Sequence, residues 1–156
     1  MIITFIGQPH SGKTTLAKRL QTEFFIKYSK SFPVVDGDEI RMIFKNKDFS
    51  PEGRMKNLNR ISDIATFLEA KYGIVIVSAV YPLQEARDYF ESINQRLIWV
   101  YLTYNEKRGR ESFHVRGYEV PSKEAKNLIT INTSENDIES CIQKVLSFCG
   151  EISKPA

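Results

Sequence analysis

Short apolar runs alternate with stretches of helical period along this chain. Such alternation predicts a parallel sheet covered on both faces by helices. Residues 1–6 (MIITFI), 32–35 (FPVV), 73–78 (GIVIVS), 97–102 (LIWVYL) and 128–131 (LITI) read as buried strands. Helical spacing opens at residue 15 and recurs over 39–44, 51–72, 83–92 and 134–148. The long helix carries its own punctuation: Ser50 suits the N-cap, Pro51 the first helical position, and Gly73 the close. The basic segment 107–116 has no decisive period. With no internal repeat or linker, residues 1–150 are expected to form one doubly wound α/β domain around a five-stranded parallel sheet, and 151–156 a loose tail.

Composition narrows the class without naming a chemistry. At 156 residues, 42% hydrophobic and 26% charged, the chain is an ordinary globular protein with one sizeable core. No apolar run reaches the length of a membrane span, and the start lacks the basic stretch and cleavage site of a secretory signal. A cytoplasmic protein with no membrane partner is the expectation. Cys141 and Cys149, too far apart for a metal clip, read as buried or idle thiols of a reducing compartment. A net charge of +3 suits anionic small ligands and is too mild to argue for nucleic acid. Trp99, inside an apolar run, reads as core.

The strongest chemical signal is Gly7-Gln8-Pro9-His10-Ser11-Gly12-Lys13-Thr14, which fits G-x-x-x-x-G-K-[ST] between a strand and a helix. The pattern implies ATP binding by residues 7–15, Thr15 included. Gly7 lets the strand turn sharply, and Gly12 leaves room for backbone to approach phosphate oxygens. The intervening amides form an anion nest at the positive end of the helix. Lys13 is placed for the β- and γ-phosphates and the Thr14 hydroxyl for Mg2+. Pro9 supplies no amide donor.

A second cluster follows the second strand. Asp36-Gly37-Asp38 with Arg41 puts two carboxylates and a guanidinium at a strand's carboxyl end, where doubly wound folds bind ligands. A hydroxyl acceptor needs a group to take its proton and Mg2+ needs oxygen ligands, so the aspartates suit phosphoryl transfer. The plain alternative is an Asp-Gly turn with Asp38 as a helix cap. Residues 78–82 are expected to face the same crevice. On the long helix, Arg54 and Asn57 lie about one turn apart and can address one ligand.

Taken together these residues resemble the adenylylsulfate kinase family, whose members phosphorylate the 3'-hydroxyl of adenosine 5'-phosphosulfate. After its phosphate loop the family shows D-G-D-N-x-R, F-S-x-E-D-R-x-E-N-x-R-R and S-P-Y-R. Here those read Asp36-Gly37-Asp38-Glu39-Ile40-Arg41, Phe49-Ser50-Pro51-Glu52-Gly53-Arg54 with Asn57-Leu58-Asn59-Arg60, and Tyr81-Pro82-Leu83-Gln84. Tyr118-Glu119-Val120-Pro121 looks like the family's Y-E-x-P. The resemblance implies that Asp38 holds Mg2+ or accepts the hydroxyl proton, with Lys13 as its catalytic partner, and that Asp36 orders that site. It implies that Arg41 and Arg54 hold the phosphosulfate, that Phe49 packs on the nucleotide, and that Asn57 hydrogen-bonds it. It also suggests a homodimer.

The departures are local. Pro9 and His10 replace small residues, Glu39 an asparagine, and Gly53 an acid, while Tyr81 and Gln84 replace the serine and arginine of S-P-Y-R. The family's lid is represented by the shorter stretch 107–116. There, Arg108 or Arg110 would stack on the ATP base or stabilise the transferring charge, and the sequence does not choose between them. A solvated basic helix is the plain alternative. His114, with no carboxylate or cysteine at ligand spacing, is not expected to bind metal. The changed lid and Gln84 leave open a kinase for another anionic nucleotide, such as a nucleoside diphosphoramidate, or another small hydroxyl compound. An ATP-binding module without transfer also stays open.

Overall fold

The computed structural model describes residues 1–152. Five strands form one parallel sheet in the order β2-β3-β1-β4-β5: β1 (Ile2–Ile6), β2 (Val34–Asp36), β3 (Val75–Ser78), β4 (Leu97–Thr103) and β5 (Leu128–Asn132). The apolar runs are continuous because the inner strands are covered on both faces; every residue of β1 and β3 is buried.

Alternate residues of β1 serve two cores. Ile3 and Phe5 pack with α1 (Lys13–Tyr28) and α5 (Ile138–Ile152), where Leu20, Phe24, Ile142 and Val145 meet them. Ile2 and Ile6 face α2 (Gly37–Ile43), α3 (Pro51–Tyr72) and α4 (Gln84–Ile93), against Ile61, Ala65 and Phe90. Trp99 is buried in the second core, as its sequence context predicts. Both cysteines are buried thiols.

Local signals set the helix ends. The Ser50 hydroxyl accepts from the Gly53 N–H, Pro51 opens α3, and Gly73, at φ 79°, ends it. Other bounds differ from the sequence reading. The strand expected at 32–35 is shifted to Val34–Asp36, and α2 begins two residues earlier than expected. The Asp36 carboxylate caps α2, accepting from the N–H groups of Asp38 and Glu39, so the helix cap is Asp36 and not Asp38. The last helix starts at Ile138 rather than 134 and includes Glu151 and Ile152 in its final turn. The first two residues of the tail expected from 151 are thus helical, and 153–156 lie outside the described residues. Segment 107–116 is an irregular loop around one short 3-10 turn (Glu111–Phe113) and is α-helical nowhere. Among the described residues, no helix is long and apolar enough to cross a membrane.

Candidate active site

The carboxyl ends of β1, β2 and β3 open onto one cavity of about 930 Å3. The phosphate loop forms one wall, and Asp36 through Arg41 another. Phe49, Arg54 and Asn57 form the far end, and Arg110 through Val115 the rim. The convergence expected from the strand order is present.

Gly7 makes the loop possible. Its φ is 141°, and a side chain there would put Cβ 2.5 Å from the Leu102 carbonyl oxygen. Gly12 follows at φ 98° and His10 at φ 65°, both in the region that turns amides inward. Lys13 folds over the loop, with Nζ donating to the Gln8 carbonyl at 2.8 Å. Burial pushes its ammonium down to about 8, opposed by the charges of Asp38 and Asp36. Not every loop residue turns its side chain to the cavity: that of Gln8 pairs with the backbone of Val115.

Across from Lys13 the two aspartates do different work. The Thr14 hydroxyl donates to Asp36 Oδ2 at 3.0 Å and lies 3.2 Å from Ser78 Oγ. These hard oxygen donors suit Mg2+, which keeps water and takes one or two carboxylates plus substrate phosphates. No group of three or more His, Cys, Asp or Glu side chains among the described residues could hold an ion by itself. The carboxylate beside Thr14 is thus Asp36, where the sequence reading paired Thr14 with Asp38. Asp38 lines the cavity, and its carboxylate accepts no hydrogen bond among the described residues.

At the far end Phe49 is 61% exposed, with the Arg41 guanidinium 4.3 Å from its ring centroid and that of Arg54 at 5.6 Å. Neither arginine has a bonded carboxylate among the described residues. Arg41 donates to the carbonyls of Asn46 and Asp48, and Arg54 to that of Phe49. Burial lowers the pKa of both, and Arg54 adds to the effect at Arg41. The charges of Asp38 and Asp48 oppose the shift at Arg41, and two cations held together in the cavity suit an anionic group. Asn57 is buried, donates to the Gly37 carbonyl at 3.3 Å and keeps a buried Oδ1 with no partner among the described residues. Gly53 is required here, because a Cβ would come within 2.3 Å of Asp48 Cγ.

One expectation fails. Tyr81 does not face the cavity: at φ 45° the backbone turns its ring into the core, stacked on Phe90 and edge-on to Trp99, with its hydroxyl 2.9 Å from Ser62 Oγ. Gln84 pairs with Asp88 and Arg87, away from the cavity. The two lid arginines that the sequence does not choose between lie in different surroundings. Arg110 lines the cavity, whereas Arg108 reaches the His10 carbonyl at 3.0 Å and covers the Tyr104 ring. His114, unassigned by sequence, lines the rim and lies 2.6 Å from the Tyr104 hydroxyl. Nothing in the residue spacing foretells that pairing.

Comparison with known proteins bears on the family and the fold. A family model described as adenylylsulphate kinase matches residues 1–126. The adenylyl-sulfate kinase of Staphylococcus epidermidis is 26% identical over 96% of this chain and 84% of its own length. That of Prochlorococcus marinus is 29% identical over 98% and 85%. The Mycobacterium tuberculosis APS kinase solved with AMPPNP and APS superposes with a TM-score of 0.80, at 23% identity and 96% coverage of both chains, a likeness of fold.

Proposed function

The chain belongs to the adenylylsulphate kinase family, and from that premise we propose that it transfers the γ-phosphoryl group of ATP to the 3'-hydroxyl of adenosine 5'-phosphosulfate. The observation that carries the acceptor is the cluster of Arg41, Phe49 and Arg54, in one cavity with the phosphate loop. An exposed aromatic ring beside two guanidinium groups, neither bonded to a carboxylate among the described residues, suits a base joined to an anionic tail.

Residues 7–15 would cradle the ATP phosphates through backbone amides, with Lys13 neutralising the β- and γ-oxygens. Thr14 and Asp36 would hold Mg2+, with Ser78 beside them. The ion, when bound, supplies charge neutralisation across the β- and γ-phosphates. Asp38, its carboxylate free of other hydrogen bonds among the described residues, would take the acceptor's 3'-hydroxyl proton as that oxygen attacks the γ-phosphorus in line and ADP leaves. Arg41 and Arg54 would hold the phosphosulfate. The orphan Asn57 Oδ1 would accept from an N–H donor of the nucleotide, which ends the cost of leaving it buried and unpaired. Arg110 on the rim would face the transferring charge. A cytoplasmic homodimer is part of the same reading, and sedimentation of the purified protein tests the dimer.

The deciding experiment follows γ-labelled ATP with a panel of acceptors that includes adenosine 5'-phosphosulfate. Label should appear on its 3'-hydroxyl. No transfer to it, with rapid transfer to another hydroxyl compound, would reject the acceptor and keep the reaction. Hydrolysis alone would reject both.

A further inference from the structure

Three consecutive residues of the phosphate loop are gripped by the segment that follows β4. Gln8 Nε2 donates to the Val115 carbonyl at 3.0 Å, and the Val115 N–H donates to Gln8 Oε1 at 2.8 Å. The Pro9 carbonyl accepts from the Tyr104 hydroxyl at 2.9 Å, and the His10 carbonyl from Arg108 Nη1 at 3.0 Å. The single Tyr104 proton is committed to Pro9, so at the 2.6 Å contact His114 donates from Nε2.

Gln8 is the centre of this grip. A side-chain amide offers one donor group and one acceptor in a plane, so it can pair both backbone groups of Val115 as a neighbouring strand would. Its own main-chain carbonyl accepts from Lys13 Nζ. One residue thus joins the cradle lysine to a segment 107 positions away. Besides Gln8, the stretch is tied through Arg108 to the His10 carbonyl and through His114 to Tyr104. The Glu111 carboxylate accepts from the N–H groups of Arg108 and Gly109 within the same turn, and Phe113 is 69% exposed.

We propose that Gln8 is a positioning residue, whose side chain clasps the lid to the phosphate loop and so holds Arg110 over the nucleotide. The inference rests on reading residues 7–15 as the ATP cradle. A clasped lid excludes water and sets its arginine before the nucleotide arrives, while the phosphates are contacted by the loop backbone and Lys13.

Timed trypsin digestion of the full chain, with and without AMPPNP, tests this, because Arg108, Arg110 and Arg116 lie in the lid. Two variants separate bonding from bulk: Gln8→Met keeps the length without hydrogen bonds, and Gln8→Glu keeps the acceptor but sets a carboxylate against the Val115 carbonyl. In both, cleavage within the lid should quicken about tenfold, the size of losing one or two neutral hydrogen bonds. Cleavage elsewhere and the thermal midpoint should stay at wild-type values, and kcat should fall, as it does when Arg110 is out of place, while KM for the acceptor holds. Lid cleavage at the wild-type rate in Gln8→Met, or faster cleavage spread over the whole chain, would overturn the clasp. If AMPPNP fails to protect the wild-type lid while the tenfold difference persists, the ATP reading falls and the clasp stands.

Discussion

The Thr14 hydroxyl donates to Asp36 Oδ2 across 3.0 Å, tying the first turn of α1 to the carboxyl end of β2. The other Asp36 oxygen caps α2, so both are occupied, whereas Asp38 is left clear. These bonds fix the Asp36 carboxylate and still leave its Oδ2 a second lone pair for a metal ion, whereas the Asp38 oxygens are all open to take a proton. Asp38→Asn should lower kcat by about 10²–10⁴-fold, the range for losing a general base, with AMPPNP affinity largely retained. Asp36→Ala should instead cost about 1 kcal/mol of stability through the lost cap and raise the Mg2+ concentration needed for half-maximal rate. Single-turnover transfer, calorimetric titration and a Mg2+ series distinguish the two, and undiminished transfer by Asp38→Asn would remove that residue from the mechanism.

Lys13 makes activity and stability respond oppositely to alkali. Its buried ammonium titrates at about 8, and a triphosphate needs it charged. Since kcat/KM reports the free enzyme, its value for ATP should fall roughly tenfold per pH unit above that point. In the unfolded chain the same group keeps its proton to about 10.4. Between those values the unfolded state binds more protons, so Lys13 contributes a stability that rises with pH; below about 8 its burial penalty is fully present. Denaturant melts of the wild type and Lys13→Met at pH 7 and 10 should show that the variant loses this rise as well as ATP binding.

Much of this site is readable in the sequence because its signals are local. The phosphate loop is contiguous, and Ser50, Pro51 and Gly73 punctuate α3 within one turn of its ends. What the sequence hides depends on pairings between distant positions. The start of α5 is delayed because Thr133 and Ser134 are committed elsewhere, Thr133 to the Ser11 carbonyl and Ser134 to the Asn105 N–H. The carboxylate of Asp137 marks the start instead, accepting from the Ser140 N–H at 2.8 Å as α5 begins. The roles of Gln8 and His114 rest on contacts across 107 and 10 residues, beyond any periodic pattern. Tyr81 is misplaced by a sequence reading because its positive φ reverses the side chain, and nothing in its neighbours announces that turn.

That reversal gives Tyr81 a testable structural role. It is fully buried between Phe90 and Trp99, and its hydroxyl also donates to the Leu58 carbonyl at 3.3 Å. Restoring the family's serine, Tyr81→Ser, should cost about 3–5 kcal/mol by opening a cavity. Tyr81→Phe keeps the ring and should cost about 1–2 kcal/mol for the hydroxyl's lost bonds, the Ser62 hydroxyl keeping its own bond to the Leu58 carbonyl. Urea melts measure both. Equal costs would mean that the hydroxyl, and not the ring, is what the core requires.

Arg108 and Arg110 should separate in the same way as their positions do. Among the described residues Arg110 lines the cavity with no carboxylate bonded to it, while Arg108 is engaged by Glu106, the Tyr104 ring and the His10 carbonyl. A guanidinium facing a transferring phosphoryl group acts in the transition state, so Arg110→Ala should lower kcat by about 10²–10³-fold with little change in AMPPNP affinity. Arg108→Ala removes a tie to the loop and no transition-state contact. Its effect should be confined to a rise in KM for ATP of about tenfold, the scale of one charge-assisted hydrogen bond. Steady-state kinetics on both variants decides the assignment: a kcat loss that follows Arg108 instead would move the charge-stabilising role to it and leave Arg110 as a solvated rim residue.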